Sequence, residues 1–266
     1  MRGKSLTVLK LGGSVITVKD KTLTPNNSAI RRLAKEIANS GCSPLIIVHG
    51  GGSFGHPIAA EYRITEGFKD ENQMVGFSKT HNAMVKLNML IVEALLEEGL
   101  PAFSMAPSSL LVTRSGRIQH IYRDPLEQAF KLGFMPVLYG DVVFDYNMGF
   151  TVLSGDQILS KLATELGAER IIVGVDVDGL YTADPKINPE AQLITCLTPN
   201  ELVNLIDKIG GSKSVDVTGS MMGKIRELIV PAMNGVNILI VNALKPNYIY
   251  SALRGEEVIG TRIIRG

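Results

Sequence analysis

The sequence has little of what disulfide-linked, nucleic-acid-binding or membrane-spanning proteins need. Cys42 and Cys196 are its only cysteines and have no metal-ligand spacing, so we expect two reduced thiols and no disulfide framework. A formal net charge of +1 gives no bulk attraction to nucleic acid or to an anionic membrane. No apolar run reaches the roughly 18 residues of a membrane span, and the first residues show no signal-peptide pattern. We therefore expect a soluble, cytoplasmic protein that binds neither nucleic acid nor a membrane.

What the sequence does contain is an alternation of strand and helix patterns in a composition typical of folded proteins, with 45% hydrophobic and 20% charged residues. Short apolar runs predict strands at residues 6–11, 45–48, 102–105, 135–139, 169–175, 236–241 and 260–264. Helical spacing predicts helices at residues 27–40, 72–98, 125–132, 154–166, 199–209 and 222–233, with a hairpin turn at 113–117 and a polar loop at 210–219. Such an alternation predicts an α/β fold with a mostly parallel sheet, whose ligands bind beyond the carboxyl ends of the strands.

A glycine-rich segment follows the second predicted strand and reads His49-Gly-Gly-Gly-Ser-Phe-Gly-His56-Pro57. Three successive glycines let the backbone approach a ligand and aim its N–H groups at phosphate oxygens. A flexible turn is the alternative, but a plain turn has no use for two flanking histidines and a serine. Glycines at 12–13, 140 and 179 also follow strand patterns, which places all four segments at the same edge of the sheet.

Charged residues near these strand ends are candidates for phosphate chemistry. Lys10 would lie on a buried strand, where an unpaired charge is costly, so we expect it to reach toward phosphate rather than to be a solvated edge lysine. Lys19, in the next loop, fits either a catalytic role or an ordinary surface position. Asp156 and Asp176 could orient lysines or hold a hydrated Mg²⁺, although each alone is more typical of a helix cap or a turn.

Two further features resemble known sites but differ from them. Residues 219–224 read Gly-Ser-Met-Met-Gly-Lys, one residue short of a Walker A motif and followed by Ile225 instead of Ser or Thr. We interpret this segment as a separate phosphate-facing helix start. His81 and His120 have no partners at metal-ligand spacing, and we expect them to be structural.

Four motifs in order carry a resemblance that covers essentially the whole chain. They are Lys10-Leu-Gly-Gly-Ser14, His49-Gly-Gly-Gly52, Asp176-Val-Asp-Gly-Leu-Tyr181 with Asp184-Pro-Lys186, and Asp216-Val-Thr-Gly219 with Gly223-Lys224. Together they resemble the amino acid kinase superfamily. The segments 13–19 and 50–56 are similar to those of kinases that act on isopentenyl phosphate, and fosfomycin kinases have a similar histidine-bearing loop. Val18 stands where the family has an aspartate, which removes one partner for Lys19.

The resemblance implies an open αβα sandwich built on one central, mainly parallel sheet, usually in a homodimer. Residues 1–165 would form an N-terminal lobe that binds the phosphate acceptor and dimerises. Residues 166–266 would form a C-terminal lobe that binds ATP with Mg²⁺, within one continuous domain.

The resemblance also assigns roles to residues of this sequence. The catalytic residues would be Lys10, Lys19, His56 and Lys224. The acceptor would contact Gly13, Gly51, His56 and Gly155. The nucleotide would lie against Lys10, Gly12, Gly52, Asp176, Tyr181, Asp184, Lys186, Gly219, Gly223 and Lys224.

The residue chemistry favours a phosphate monoester as the acceptor. Its second pKa of about 6 leaves it largely deprotonated at pH 7, and no Asp or Glu in the first motifs offers an obvious base, which an alcohol acceptor would need. His56 would then donate a hydrogen bond to the acceptor phosphate. An apolar tail needs a pocket, for which the candidates, or else ordinary core residues, are Phe77, Thr80, Met84, Val142 and Val152.

Other functions remain open on this fold. A phosphonate kinase of the fosfomycin type would use a similar loop. An amino-acid carboxylate acceptor would call for an Arg-rich clamp, and the segment 49–57 contains no arginine. A non-catalytic nucleotide-binding regulator would have lost the phosphoryl-facing lysines, which are all present.

Overall fold

The computed structural model describes residues 5–183, 185, 187–211 and 219–264. The strands are β1 Thr7–Leu11, β2 Leu45–His49, β3 Ala102–Ser104, β4 Leu111–Arg114, β5 Arg117–Ile121, β6 Met135–Tyr139, β7 Asp141–Asp145, β8 Gly149–Leu153, β9 Arg170–Val175, β10 Leu180–Tyr181, β11 Leu193–Ile194, β12 Cys196–Leu197, β13 Asn237–Asn242 and β14 Gly260–Ile263. The helices are α1 Gly13–Ile16, α2 Asn27–Ser40, α3 Gly52–Glu61, α4 Asn72–Glu97, α5 Pro107–Leu110, α6 Asp124–Leu132, α7 Gly155–Glu165, α8 Pro199–Gly211, α9 Gly219–Met233 and α10 Tyr248–Arg254.

The central sheet has the strand order β12-β14-β13-β9-β1-β2-β6-β3. Its pairs are parallel except for β13 with β14, as the alternation of strands and helices predicts. The carboxyl ends of β1, β2, β6 and β9 therefore meet at one edge, in the middle of the sheet.

Both faces of the sheet are covered by helices. Successive side chains of a strand point to opposite faces, and the neighbours Val8 and Leu9 accordingly belong to two separate apolar clusters. Val8 packs with residues of α7, α8 and α9, and Leu9 packs with residues of α2, α4 and α10. The expected αβα arrangement is confirmed.

A smaller sheet, in the order β5-β4-β7-β8, lies beside the cavity described below. The predicted hairpin turn is present between β4 and β5, at Ser115 and Gly116. The hairpin β7–β8 was not predicted. Its loop is held by a side chain, because Asp145 accepts hydrogen bonds from the backbone N–H groups of Asn147 and Met148.

Most predicted helices agree with the structure to within a few residues. Helix α2 has the predicted bounds, since Asn26 caps its first turn and Gly41 ends it in a left-handed conformation. The loop predicted at 210–219 is wrong at both ends: α8 continues to Gly211 and α9 begins at Gly219, three residues before the predicted start. Residues 212–218 lie outside the described part of the chain. Among the described helices, none is long and apolar enough to cross a membrane.

Candidate active site

A cavity of about 790 Å³ lies at the carboxyl ends of the central strands. It is lined by Gly13 after β1, Gly50–Gly52 after β2, Gly140 after β6 and Asp176 after β9. The sheet edge expected from the glycine pattern is therefore the edge that carries the cavity.

The glycine segments approach each other too closely for side chains. A Cβ on Gly50 would lie 2.8 Å from the backbone nitrogen of Gly13, and a Cβ on Gly155 would lie 2.9 Å from the carbonyl oxygen of His49. Gly52 has a φ of +48°, a conformation that favours glycine. Thr17 joins the segment after β1 to the glycine segment after β2, since its hydroxyl donates to Gly13 O and accepts from Ser53 N. Backbone, rather than side chains, forms this wall of the cavity.

Asp156 joins the two predicted catalytic lysines that lie farthest apart in the sequence. Its Oδ1 lies 2.6 Å from Nζ of Lys10, and its Oδ2 lies 3.2 Å from Nζ of Lys224. Asp156 is the second residue of α7, whose start is capped by Ser154, the side chain of which accepts from Gln157 N. Of the two roles considered for Asp156, the structure shows the orientation of lysines.

Burial shapes the protonation of this cluster. Burial lowers the pKa of Lys10 to about 8, opposed by the charge of Asp156 and reinforced by that of Lys224. Burial alone would raise the pKa of Asp156, but the two lysines outweigh it and hold that pKa below its usual value. Lys10 is thus positively charged at neutral pH and close to titration.

Lys19 and His56 are the other two predicted catalytic residues, and both line the same cavity from exposed positions. Partial desolvation lowers the pKa of His56, and the charges of Lys224 and Lys10 lower it further. A neutral imidazole keeps one N–H donor. The four predicted catalytic residues therefore surround one space, which the sequence could not establish.

The predicted nucleotide residues lie partly in this lining. Gly52, Asp176, Tyr181, Gly223 and Lys224 line the cavity. Gly12 lies behind it, where a Cβ would lie 2.9 Å from Gly174 O, and Gly219 begins α9. Asp184 and Lys186 lie outside the described residues.

The end of the cavity near α3 and α4 is apolar. Ala59, Thr80, Met84 and Val152 line this end, and the predicted acceptor residues Gly13, Gly51 and Gly155 line the same cavity. Gly51 and Gly55 lie against Met84, whose sulfur would be about 3 Å from a Cβ at either glycine. This end has the character expected of a tail pocket.

Phe77 does not line the cavity, which corrects its prediction as a contact residue. The centroid of its ring lies 5.2 Å from that of Phe144, on which the ring stacks, and 5.3 Å from that of Phe150. It lies one layer behind the wall, in an apolar cluster with Val152 and Ala59. Val142, the other doubtful candidate, is fully buried in the same cluster.

Sequence reasoning missed Asp141, a buried carboxylate in the cavity wall. It lies directly after Gly140, and this position at a strand end was the available signal. Its Oδ2 lies 2.9 Å from Nδ1 of His81, so His81 is a partner of the site wall rather than an isolated structural residue. Burial raises the pKa of Asp141, and the bond to Asp141 raises the pKa of His81.

The described residues offer no ready set of ligands for a resident metal ion. Among the described residues no group of three His, Cys, Asp or Glu side chains could hold one. Both oxygens of Asp156 are engaged by lysines. Mg²⁺ commonly binds proteins through one or two carboxylates together with substrate phosphates, and Asp176 is a carboxylate in the cavity wall that fits such an arrangement.

Comparison with known proteins agrees with this geometry. The model of the "Amino acid kinase family" matches residues 5–242. The isopentenyl phosphate kinase of Methanothermobacter thermautotrophicus is 44% identical over 96% of this chain and 98% of that protein. The isopentenyl phosphate kinase of Methanocaldococcus jannaschii is 35% identical over 97% of this chain and 98% of that protein.

A solved structure shows the same fold over almost the same length. A crystal structure of an isopentenyl phosphate kinase superposes with a TM-score of 0.85 at 42% identity, covering 97% of this chain and 100% of the other. The chain belongs to the amino acid kinase family and, within it, to the isopentenyl phosphate kinases.

Proposed function

We propose that this protein transfers the γ-phosphoryl group of ATP to the phosphate of isopentenyl phosphate, which gives isopentenyl diphosphate and ADP. The observation that carries the proposal is one cavity with a cationic, glycine-walled centre and an apolar end. Lys10, Lys224 and Lys19 surround the centre, and Met84 and Val152 lie at the apolar end. A small acceptor with a phosphate head and a hydrocarbon tail fits both halves.

The centre of the cavity suits an acceptor that arrives already deprotonated. Asp156 lies near the reacting groups, but both of its oxygens are held by lysines and its pKa is low, so it is a poor proton acceptor. A phosphate monoester, with a second pKa of about 6, needs no base at neutral pH. The same reasoning disfavours an alcohol as the acceptor.

Positioning and charge then supply catalysis. Phosphoryl transfer proceeds through a loose transition state whose charge is spread over the oxygens, and preorganised cations stabilise it. We assign this role to Lys10, Lys19 and Lys224. Asp156 holds Lys10 and Lys224 at a fixed separation, so that little reorganisation is needed when charge develops.

Binding roles follow from position in the cavity. We assign the acceptor phosphate to Gly13, Gly51, Gly155 and the N–H of His56, and its tail to Thr80 and Val152. We assign the nucleotide to the side of Gly52, Asp176, Tyr181, Gly223 and Lys224, with Gly12 and Gly219 shaping the backbone around it. Asp184 and Lys186, outside the described residues, keep the nucleotide role that the family resemblance implies. When bound, Mg²⁺ would neutralise phosphate charge, and Asp176 would help to hold it.

We also infer that residues 1–165 bind the acceptor and residues 166–266 bind ATP, and that the protein is a cytoplasmic homodimer. Within the described central sheet β3 is an outermost strand. Phe103 on β3 and the neighbouring Phe134 are 47% and 44% exposed, with ring centroids 6.1 Å apart. Light scattering should give the mass of a dimer, and Phe103→Glu should shift it toward the monomer. A native monomer would contradict this part of the proposal.

Product analysis tests the proposed reaction. Purified protein with ATP, Mg²⁺ and isopentenyl phosphate should produce ADP and a new diphosphate by ³¹P NMR, and omission of the acceptor should leave ATP intact. A fosfomycin-type phosphonate kinase is the second candidate, because it would also use a neutral histidine beside a glycine loop. Phosphorylation of fosfomycin without formation of the isopentenyl diphosphate would overturn the proposal in its favour.

A further inference from the structure

His49 is a fully buried residue that the proposed reaction does not use, although it begins the glycine segment. It is the last residue of β2, and its ring stacks on Tyr139 with centroids 5.5 Å apart. Both ring nitrogens face polar atoms. Nδ1 lies 3.1 Å from the carbonyl oxygen of Gly50, and Nε2 lies 3.1 Å from Oδ1 of Asn88. Nδ2 of Asn88 is in turn 2.6 Å from Oγ of Ser104.

These contacts require a particular arrangement of protons. Burial lowers the pKa of His49 to about 4, so the ring is neutral at pH 7 and carries one N–H. One N–H cannot donate to two oxygen atoms. Turning the Asn88 amide over exchanges its oxygen and nitrogen, which occupy nearly the same space, and it resolves the conflict. Ser104 O–H then donates to Asn88 Oδ1, Asn88 N–H donates to Nε2, and Nδ1–H donates to Gly50 O.

We propose that His49, fixed as its Nδ1–H tautomer by Asn88 and Ser104, locks the Gly50–Gly51 peptide and thereby presents the Gly51 N–H to the acceptor phosphate. The C=O and N–H of a trans peptide point in opposite directions. A carbonyl held toward the buried ring therefore directs the Gly51 N–H away from the core, toward the cavity that Gly51 lines. The phosphate role of that N–H rests on the proposed function. His49 is a positioning residue, since it acts through this peptide.

A lock is needed because the peptide has glycine on both sides. Glycine populates conformations on both sides of the φ map about equally, so a Gly–Gly peptide can turn over at little cost. In one orientation an N–H faces the phosphate, and in the other a carbonyl oxygen would face it and repel it. The close packing of Gly50 against Gly13 requires this small residue, so rigidity has to come from a neighbouring side chain.

Two amide variants separate the hydrogen bond to Gly50 O from the packing of the His49 ring. The side-chain amide nitrogen introduced by His49→Asn would lie near the position of Nδ1 and keep the donor to Gly50 O, whereas His49→Gln places its amide near Nε2 and loses that donor. Both lose the stacking on Tyr139, so their melting temperatures should fall together. We expect His49→Gln to raise KM for isopentenyl phosphate about 10–100-fold, as for loss of a hydrogen bond to a charged group. His49→Asn should stay within about threefold of the native KM, and KM for ATP should change by less than about threefold in both.

Equal acceptor KM values for the two variants would overturn the positioning role of His49, and the proposed reaction would be unaffected. Failure of the native protein to act on isopentenyl phosphate would instead overturn the proposed function. The lock is then tested without substrate, by ¹⁵N NMR of the native protein labelled at its four histidines. The His49 ring, identified by assigning the other three histidines through single substitutions, should carry its proton on Nδ1, with Nε2 bare. A proton on Nε2 would overturn the proposal, even where a variant fails to fold.

Discussion

The sharpest prediction concerns Asp156→Asn, which removes the negative charge between two lysines and keeps a side chain of nearly the same shape. Lys10 lies 2.6 Å from Asp156 and is buried beside Lys224. An opposite charge at this distance commonly changes a pKa by about 1–3. The pKa of Lys10, about 8 in the native protein, should therefore fall to about 5–7 in the variant. Lys10 would become largely neutral in the range where the native enzyme keeps it charged.

The effect on stability should be small, and its sign follows from linkage. With its pKa lowered from 10.5 to about 8, charged Lys10 costs the native fold about 3 kcal/mol at pH 7. The unfolded chain binds the extra proton between about pH 8 and 10.5, so this cost is relieved as pH rises through that interval. In the variant Lys10 can release its proton. The further decrease in the free energy of unfolding that comes from Lys10 at pH 7 is therefore limited to about 1 kcal/mol. The variant should remain folded.

The assay is the pH profile of kcat/KM for ATP, which reports groups of the free enzyme. The native profile should fall as pH rises above about 8, where Lys10 loses its proton. In Asp156→Asn this limb should move to lower pH, so that the deficit in kcat/KM is about 5–500-fold at pH 8, for a Lys10 pKa of about 7 down to about 5, and shrinks toward pH 6. Glu165→Gln is the matched control, because it neutralises a carboxylate on the same helix that pairs with Lys161, and it should leave the profile unchanged. A deficit that is constant across pH would refute the reasoning.

Three further predictions concern residues around the cavity. Lys19→Ala should lower kcat by roughly 10²–10³-fold with a smaller change in ATP affinity; near-normal turnover would make Lys19 a surface lysine. Phe77→Ala opens space behind Val152, so kcat/KM for longer prenyl phosphates should rise relative to that for isopentenyl phosphate. At about 0.8 kcal/mol per buried methylene, the rise should be about tenfold or more. An unchanged ratio with a lower melting temperature would make Phe77 a packing residue alone. Arg117 forms a two-point ion pair with Glu227, which lies one turn beyond Lys224 on α9. Arg117→Ala should lower kcat a few-fold through this exposed pair, since such pairs contribute up to about 1 kcal/mol; removing the comparable pair by Arg123→Ala should have no effect, and equal effects would contradict the assignment.

Much of the fold was predictable because its signals are local. Asn26 and Gly41 mark the ends of α2 in the sequence itself, and the branched apolar runs mark the buried strands of the central sheet. The hairpin β7–β8 was not predictable in this way, because its turn depends on the buried carboxylate of Asp145. That omission also explains the error at Phe77, whose ring packs on Phe144 and Phe150 of the same hairpin.

The site was predictable as a set of residues but not as an arrangement. Motif order predicted site roles for Lys10, His56 and Lys224, which line one cavity, and the glycines after strands located the edge of the sheet. No spacing in the sequence indicates that Asp156 joins Lys10 to Lys224, since this pairing arises from the position of α7 beside β1. The protonation of Lys10 likewise depends on burial and neighbouring charges that only the packed structure supplies.

The central claim is that the cationic centre and the apolar end of one cavity select a prenyl phosphate. The most direct test offers isopentenyl phosphate and fosfomycin together at equal concentration, with limiting ATP, and follows both products by ³¹P NMR. The ratio of products gives the ratio of kcat/KM values. The tail of isopentenyl phosphate has two carbons more than the three-carbon group of fosfomycin, so at about 0.8 kcal/mol for each buried methylene this ratio should favour isopentenyl phosphate by at least about tenfold. A ratio near one, or one that favours fosfomycin, would contradict the account.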